Sequence, residues 1–467
     1  MNTADVETVW ARLQREVIRA GLCTHCGTCA GLSGGALQMV QTPAGPLPMP
    51  VVDYPLVLDP LADACCPGRG SNYPALYRQH FGQLPDNWLL GCNQAVYIGH
   101  ATRPEIRRRA ASGGVITQTL LHLLASGRID GAVVVRQGQP QPWLAAPVIA
   151  RTPAEIVAAA QSVYIPTPVN LLLDEMAAFP GRLAYVGLPD QVAALRRLQA
   201  AGHPGAGKVD YVLGPYVGTA IYLGAIESYL RSNGIRDLAE VAELKWREGE
   251  WPGYLHIRTR SGRVLQAKKF YYNYLIPFYI TQASLLGVDF TNELTDISVG
   301  DAWHPRYEAQ GGGFSVVVAR SAAAAALLAE MAAAGLLALN ETSATEALSM
   351  HGHMLDFKKR GTFIRLDWRR ARGRPVPDYG YRPGHIPASR KLVELFLAVL
   401  FGVCGSRPGR KLIEWLPLSL VGPLFDSLRK GWKNLSKPVK RQGLANVAFV
   451  ITTPAHHESR TKEHANP

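Results

Sequence analysis

Acidic residues are the scarce class in this chain. Asp and Glu number 36 against 49 Lys and Arg, leaving a formal charge of +13. That imbalance favours an acidic partner: an anionic membrane surface, a nucleotide or an acidic electron carrier. Long apolar runs are missing too. The most apolar stretch, Leu392–Cys404, has 13 residues and is interrupted by Glu394, whereas a membrane span needs about 20. No transmembrane helix is expected. Met1–Arg19 carries charge throughout and lacks the apolar core of a secretory signal. Cysteine is sparse, with seven in 467 residues, too few for a disulfide scaffold, and reduced thiols in the cytoplasm are expected. Neither a GxGxxG opening a helix after a strand nor a Walker A sequence occurs. Nucleic acid is not expected as a partner.

What is present sorts into four regions. Residues 1–95 read as an N-terminal helix (4–20) and an arm, with Gln41–Ala64 rich in proline and without helical period. Residues 96–235 alternate helix and strand: Gly114–Ser126, Asp130–Val135, Pro153–Gln161, Leu183–Val186 and Gln191–Ala200. That alternation predicts an α/β core with parallel strands. Residues 236–375 change texture. Leu244–Arg260 and Val264–Tyr272 read as antiparallel strands, Ile297–Val299 and Ser315–Val318 as short strands, and Ala322–Leu339 as a helix of good helix formers. Residues 376–467 form a basic tail. Between Ser406 and Arg441 nine Lys or Arg face only Glu414 and Asp426, with Trp415, Leu416, Phe425, Leu428 and Trp432 interleaved. This reads as one or two amphipathic helices suited to peripheral contact with the inner membrane face or to a partner. The last dozen residues are expected to be disordered.

The strongest chemical signal is Cys23-Thr-His-Cys26-Gly-Thr-Cys29 with Cys65-Cys66-Pro67-Gly68 downstream. Three cysteines at this interval let one tight loop direct three thiolates at a single 4Fe–4S cube, and a proline after the last ligand is typical of bacterial ferredoxin runs. Cys66 is preferred as the fourth ligand because Pro67 follows it, with Cys65 the alternative. Zinc is the rival metal, though it usually uses two separate CxxC-type pairs. His25 is expected to shield or tune the cluster rather than ligate it. One such cluster moves single electrons, so the chain should also hold a nucleotide or flavin site.

Two turns qualify. Arg109–Val115 leads through Ser112, Gly113 and Gly114 into a helix, with Ser112 as a plausible N-cap, and exposed N–H groups at a helix start attract phosphate. Tyr185–Gln191, containing Gly187, also passes from strand to helix. Taken alone, each reads more readily as a plain capped helix.

Together with the cysteines, these blocks resemble the coenzyme F420 hydrogenase/dehydrogenase beta-subunit family. The resemblance is carried by RRRAASGGVITQTLLHLLASGRIDGAVVV, YVGLPDQVAALRRL and DFTNELTDISVGDAW, with KWREGEWPGYLHIRTRSGR and HMLDFKKRG as further matches, and it covers roughly residues 20–375. It implies FAD and iron–sulfur cofactors, and includes deazaflavin-handling subunits and ferredoxin-dependent reductases of chlorophyll intermediates. It leaves the substrate open. Where many members carry further cysteines, this chain has Asp190, Val217, Ser284 and Gly287, which implies a single N-terminal cluster.

Asp190 is a candidate proton donor if desolvation raises its pKa, or otherwise a solvated helix cap. Asn292, Glu293, Asp296, Gly300 and Asp301 suit flavin contacts, or form a polar turn before a strand. With Ser112, Gly113, Gly114, Gly187 and Gln191 they make up the expected FAD site. The expected function is an iron–sulfur flavoprotein oxidoreductase working between a ferredoxin-like acidic carrier and a small-molecule redox substrate. The alternatives are an electron-transfer subunit of a larger complex or a deazaflavin oxidoreductase.

Overall fold

Runs such as residues 132–135 and 316–319 are continuously apolar because both faces of their sheet are covered. Ala132 and Val134 point into one core cluster and Val133 into another, and Val317 likewise parts from Val316 and Val318. The computed structural model, which describes residues 7–51 and 56–452, places these strands in an eight-stranded sheet. Its order is Leu337–Glu341, Ala95–Ala101, Ser315–Ala319, Ile297–Asp301, Val209–Pro215, Leu183–Val186, Gly131–Gln137, Ala145–Ala150. The strands from Ile297–Asp301 to Gly131–Gln137 run parallel. The pairs outside them are antiparallel. The fold is α/β with a parallel centre, as expected.

The regions are not laid out as the sequence suggests. Three strands from 236–375 complete the sheet begun in 96–235, so the boundary at 235/236 does not separate two bodies. What does stand apart is the three-stranded antiparallel sheet of Val241–Glu248, Tyr254–Thr259 and Val264–Lys268. The predicted helix 322–339 stops at Ala333. Gly335, at φ +69°, turns the chain, and Leu337–Glu341 becomes an edge strand.

The arm is more regular than its prolines suggest. Leu37–Thr42 and Gly45–Pro50 form a hairpin in which Pro46, Pro48 and Pro50 pair with Gln41, Met39 and Leu37. Prolines at alternate positions of a two-stranded ribbon place the missing N–H on the outer side. The N-terminal helix runs from Val9 to Leu13 and continues as a π-turn to Ile18.

The tail forms helices Ala388–Gly405, Arg407–Trp415 and Leu418–Arg441, and a short pairing of Tyr381–Pro383 with Phe449–Ile451 ties it back to the body. Among the described residues no single helix is long and apolar enough to cross a membrane. The expected disorder of the last dozen residues falls outside the described residues.

Candidate functional site

Cys23, Cys26, Cys29 and Cys66 line one cavity, closed by Leu13, Val17, Ile18, Met39, Pro48 and Ala62. The loop reaches this shape through two left-handed residues, His25 at φ +61° and Gly27 at φ +87°. Any side chain at Gly27 would meet Pro168 and the Leu171 backbone at 2.9 Å. Cys65 turns away into the core and sits near Arg197. Burial pushes the Cys23 thiol up to about 12, with Cys26 adding to the shift. Burial likewise raises Cys26, Cys29 and Cys66, and the neighbouring thiols raise Cys29 and Cys66 further. Four buried thiols whose ionisation is opposed by burial and by one another need a cationic partner to be held as thiolates. Among the described residues no three His, Cys, Asp or Glu side chains are grouped to hold a single ion. His25 does not face the thiols as a ligand: Nδ1 meets Pro46 O at 2.9 Å and the ring lies under Gly45, fastening the loop to the hairpin.

The cavity is also tied to the sheet. Thr28 Oγ1 lies 3.2 Å from Cys26 Sγ and accepts from Asn170 Nδ2 at 2.9 Å. Asn170 Oδ1 in turn accepts from the hydroxyl of Tyr185 on strand Leu183–Val186. This chain of bonds leads to the carboxyl edge of the parallel strands, where open α/β sheets bind their ligands.

Asp190 follows Pro189 in the first turn of helix Pro189–Ala200, but it does not cap it. Gln191 does, accepting from Leu188 N at 2.9 Å while its Nε2 donates to Thr167 O. Asp190 instead lines a second cavity with Leu22, Thr24, Pro67, Gly68 and Tyr379, the loops flanking Cys23 and Cys66. Burial raises its pKa, the Lys358 charge opposes that rise, and Asp289 adds to it. Lys358 is itself lowered by burial and donates to Ser284 O at 2.7 Å. Gly287 lines the same cavity, so two of the four non-cysteine positions border it, and Ser284 is tied to Lys358. Val217 lies apart, bonded to Phe290 O.

Along the carboxyl edge, Gly113 crosses within 2.6 Å of Gly99 O, measured from where a Cβ would stand. Its N–H donates to Ser315 Oγ at 3.0 Å. Ser112 is not the N-cap: its hydroxyl donates to Phe314 O, and Gly114, at φ +79°, opens helix Val115–Ala125 without a side-chain cap. The first N–H groups of that helix therefore lack a capping side chain.

Asn292, at φ +59°, donates from Nδ2 to Gly187 O at 2.8 Å and Pro215 O at 3.2 Å. Among the described residues, three buried polar atoms at this edge have no protein partner: Asn292 Oδ1, Tyr216 Oη and His351 Nε2. Orphaned atoms of this kind call for a bound polar group. Gly300 admits the Tyr216 ring, which a Cβ would meet at 2.3 Å.

Three other expected contacts are engaged by protein partners. Glu293 bonds Tyr77 and pairs with Lys359 at 2.7 Å, and burial raises it to about 7. Asp296 binds Arg196, His80 and Val212 N. Asp301 is held by Arg247 at 3.2 Å and by Trp251 Nε1 at 2.8 Å, and Trp251 packs on Trp303 at 4.7 Å. Arg107 reaches Gly313 O at 2.8 Å and lies over Phe314. Arg107, Arg247, Trp251 and Trp303 were not singled out from the sequence, although the KWREGEWPGY block carries two of them.

With this geometry in hand, likeness to known proteins can be stated. A model of the N-terminal part of the coenzyme F420 hydrogenase/dehydrogenase beta subunit matches residues 96–174, and one of its C terminus matches 181–345, together just over half of the chain. The chain is 23% identical over 322 residues to the coenzyme F420-dependent sulfite reductase of Methanocaldococcus jannaschii, covering 66% of this chain and 45% of that one. It is 33% identical over 113 residues to the coenzyme F420 hydrogenase subunit beta of Methanothermobacter thermautotrophicus, covering 24% of this chain and 40% of the other. The chain thus spans less than half the length of either. The subunit of the same name from Methanococcus voltae is 25% identical over 300 residues, 62% of this chain and 99% of that one. A chain of the F420-reducing [NiFe] hydrogenase complex from Methanosarcina barkeri superposes with a TM-score of 0.48 at 21% identity, covering 61% of this chain and 96% of that one.

Proposed function

The chain belongs to the coenzyme F420 hydrogenase/dehydrogenase beta-subunit family, and on that premise we propose that it is an iron–sulfur flavoprotein oxidoreductase. It works between a one-electron carrier and a two-electron substrate. The observation that carries this reading is the run of bonds from the four-thiol cavity through Thr28, Asn170 and Tyr185 to a sheet whose edge bears orphaned polar atoms. A 4Fe–4S cluster would be held by Cys23, Cys26, Cys29 and Cys66, and FAD by the Ser112–Gly114 turn, Gly187, Asn292, Gly300 and Asp301. When bound, these groups supply single-electron transfer and its coupling to two-electron chemistry.

The chain's own residues set the conditions for that chemistry. The apolar wall of Leu13, Val17, Ile18 and Met39 excludes water from the thiols. The N–H groups opening helix Val115–Ala125 would receive the cofactor's phosphate. Arg247 and Trp251 fix the Asp301 carboxylate in one orientation. Asp190, its pKa raised by burial, holds a proton at its carboxyl beside the cysteine loop, where a reduced substrate would need one. The donor is an acidic ferredoxin-like carrier, matched by the charge of +13. The compartment is the cytoplasm, which suits seven free cysteines. A second reading, an electron-transfer subunit of a larger complex, is favoured by alignment with 99% of a relative called a subunit.

Anaerobic purification with iron, sulfide and flavin analysis tests the proposal. About four irons and one FAD per chain are expected. Zinc in place of iron, about eight irons, or protein that neither carries nor takes up flavin overturns it. Turnover by the isolated chain separates the enzyme from the relay subunit.

A further inference from the structure

Helix Ala388–Gly405 is built inside out. Its inner side carries Arg390 and Glu394, both fully buried and bonded to each other at 2.8 Å. Arg390 also reaches Asp356 at 2.7 Å, and Glu394 pairs with Arg365. Its outer side carries Leu392, Leu395, Phe396, Val399 and Val403, each at least half exposed. Their spacing puts them on one face. The next helix, bent from it by 70°, exposes Leu412 and Trp415, the latter at 84%. The third exposes Leu424, Leu428 and Leu435. Phe396 stacks on Trp432 at 4.4 Å, joining the first helix to the third. A water-facing protein surface does not gather so many large apolar side chains without an occupant.

The charges select that occupant. The acids of these helices are all engaged: Glu394 inside, Glu414 with Arg231 at 2.7 Å, and Asp426 with Arg429 and Lys430 at 2.7 Å. Lys391, Arg407, Lys411 and Lys437 are exposed. A second copy of the chain would bring this cationic rim against itself. An apolar face rimmed by cations matches an anionic bilayer surface, with the apolar side chains among the acyl chains and the cations at the phosphates.

We propose that the outer faces of these three helices dock the chain on anionic phospholipid, lying in the plane of the interface. This surface stands independently of the redox reading. Co-sedimentation of the full chain with vesicles of phosphatidylcholine, with and without phosphatidylglycerol, tests it. Binding at least about tenfold tighter to the anionic vesicles is expected. Tryptophan quenching by brominated lipid should also appear, and should diminish in Trp415→Phe. The double variant Leu392→Asp/Val399→Asp should lose at least about tenfold in vesicle affinity. If that variant does not fold, Lys411→Glu/Lys437→Glu, which touches only exposed side chains, reads the same surface. Equal binding to neutral vesicles, no vesicle binding, or unchanged binding in the folded variants overturns the proposal. So does a vesicle-free dimer that Val399→Asp dissociates.

Discussion

The hydroxyl of Thr28 lies 3.2 Å from the sulfur of Cys26 and accepts from Asn170. A cysteine expected to carry metal is thereby joined through two polar side chains to Tyr185 in the sheet. Asn170 and Tyr185 are fully buried, so removing one partner strands the others without water. Tyr185→Phe is expected to cost about 1–3 kcal/mol, and Asn170→Ala more because it frees both neighbours. Urea unfolding measures both. The control Ser126→Ala, in an exposed helix end, should change little.

The cysteine cavity distinguishes two adjacent residues. Cys66 lines it and Cys65 does not. Cys66→Ser should remove most of the iron from anaerobically purified protein, while Cys65→Ser should retain it. Iron loss in the opposite order would exchange the ligands.

His351 predicts a specific acid sensitivity. Burial lowers its pKa from 6.5 to about 4, against the raising influence of Asp301. Its ring is enclosed by Tyr216 and Phe290. The unfolded chain therefore binds this proton more tightly, and stability falls as pH drops from about 6.5 toward 4. The contribution is about 3 kcal/mol, since each pKa unit corresponds to about 1.4. Glu293, raised to about 7, acts in the opposite sense, losing stability as pH rises through that value. The comparison must therefore be differential: His351→Phe should remove the His351 share of the fall below 6.5, leaving in place that of His353, which burial lowers to about 3, and the Glu293 trend.

The charge of +13 predicts how an acidic donor arrives. Reduction of the holoprotein by an acidic ferredoxin should slow markedly between low and physiological ionic strength, where screening shortens to about 8 Å. Stopped-flow absorbance records it. A rate indifferent to salt would remove electrostatic steering from the account.

Elements with strong local pattern were legible. The strand Leu183–Val186 and the helices opening near Val115 and Pro189 lie within a residue or two of where periodicity puts them. Ala95–Ala101 and Ala145–Ala150 were not legible: each is short and interrupted, by Gly99 and by Pro147, and owes its form to neighbours across the sheet. The hairpin Leu37–Pro50 was hidden by prolines that only pairing register makes harmless. In the candidate site, spacing picks out the four cysteines that line one cavity, and its block picks out Asn292, whose amide bonds Gly187 O. Glu293 and Asp296 carry the same polar signature, but they face inward, and nothing in composition distinguishes a carboxylate that binds a ligand from one that binds Lys359 or Arg196. Arg247 and Trp251 acquire meaning only when Asp301 is brought to them from another strand.

The strand order has a consequence for how the chain is made. Ala95–Ala101 lies between Ser315–Ala319 and Leu337–Glu341, both more than 200 residues downstream. At ribosomal rates of about 5–20 residues per second, that strand waits roughly 10 to 40 seconds with both edges open. The cysteine loop emerges earlier still, before the Asn170 and Tyr185 that brace it. Nascent chains of this protein should therefore depend on chaperones that shield strand edges, and metal delivered before synthesis ends would meet a loop without its support.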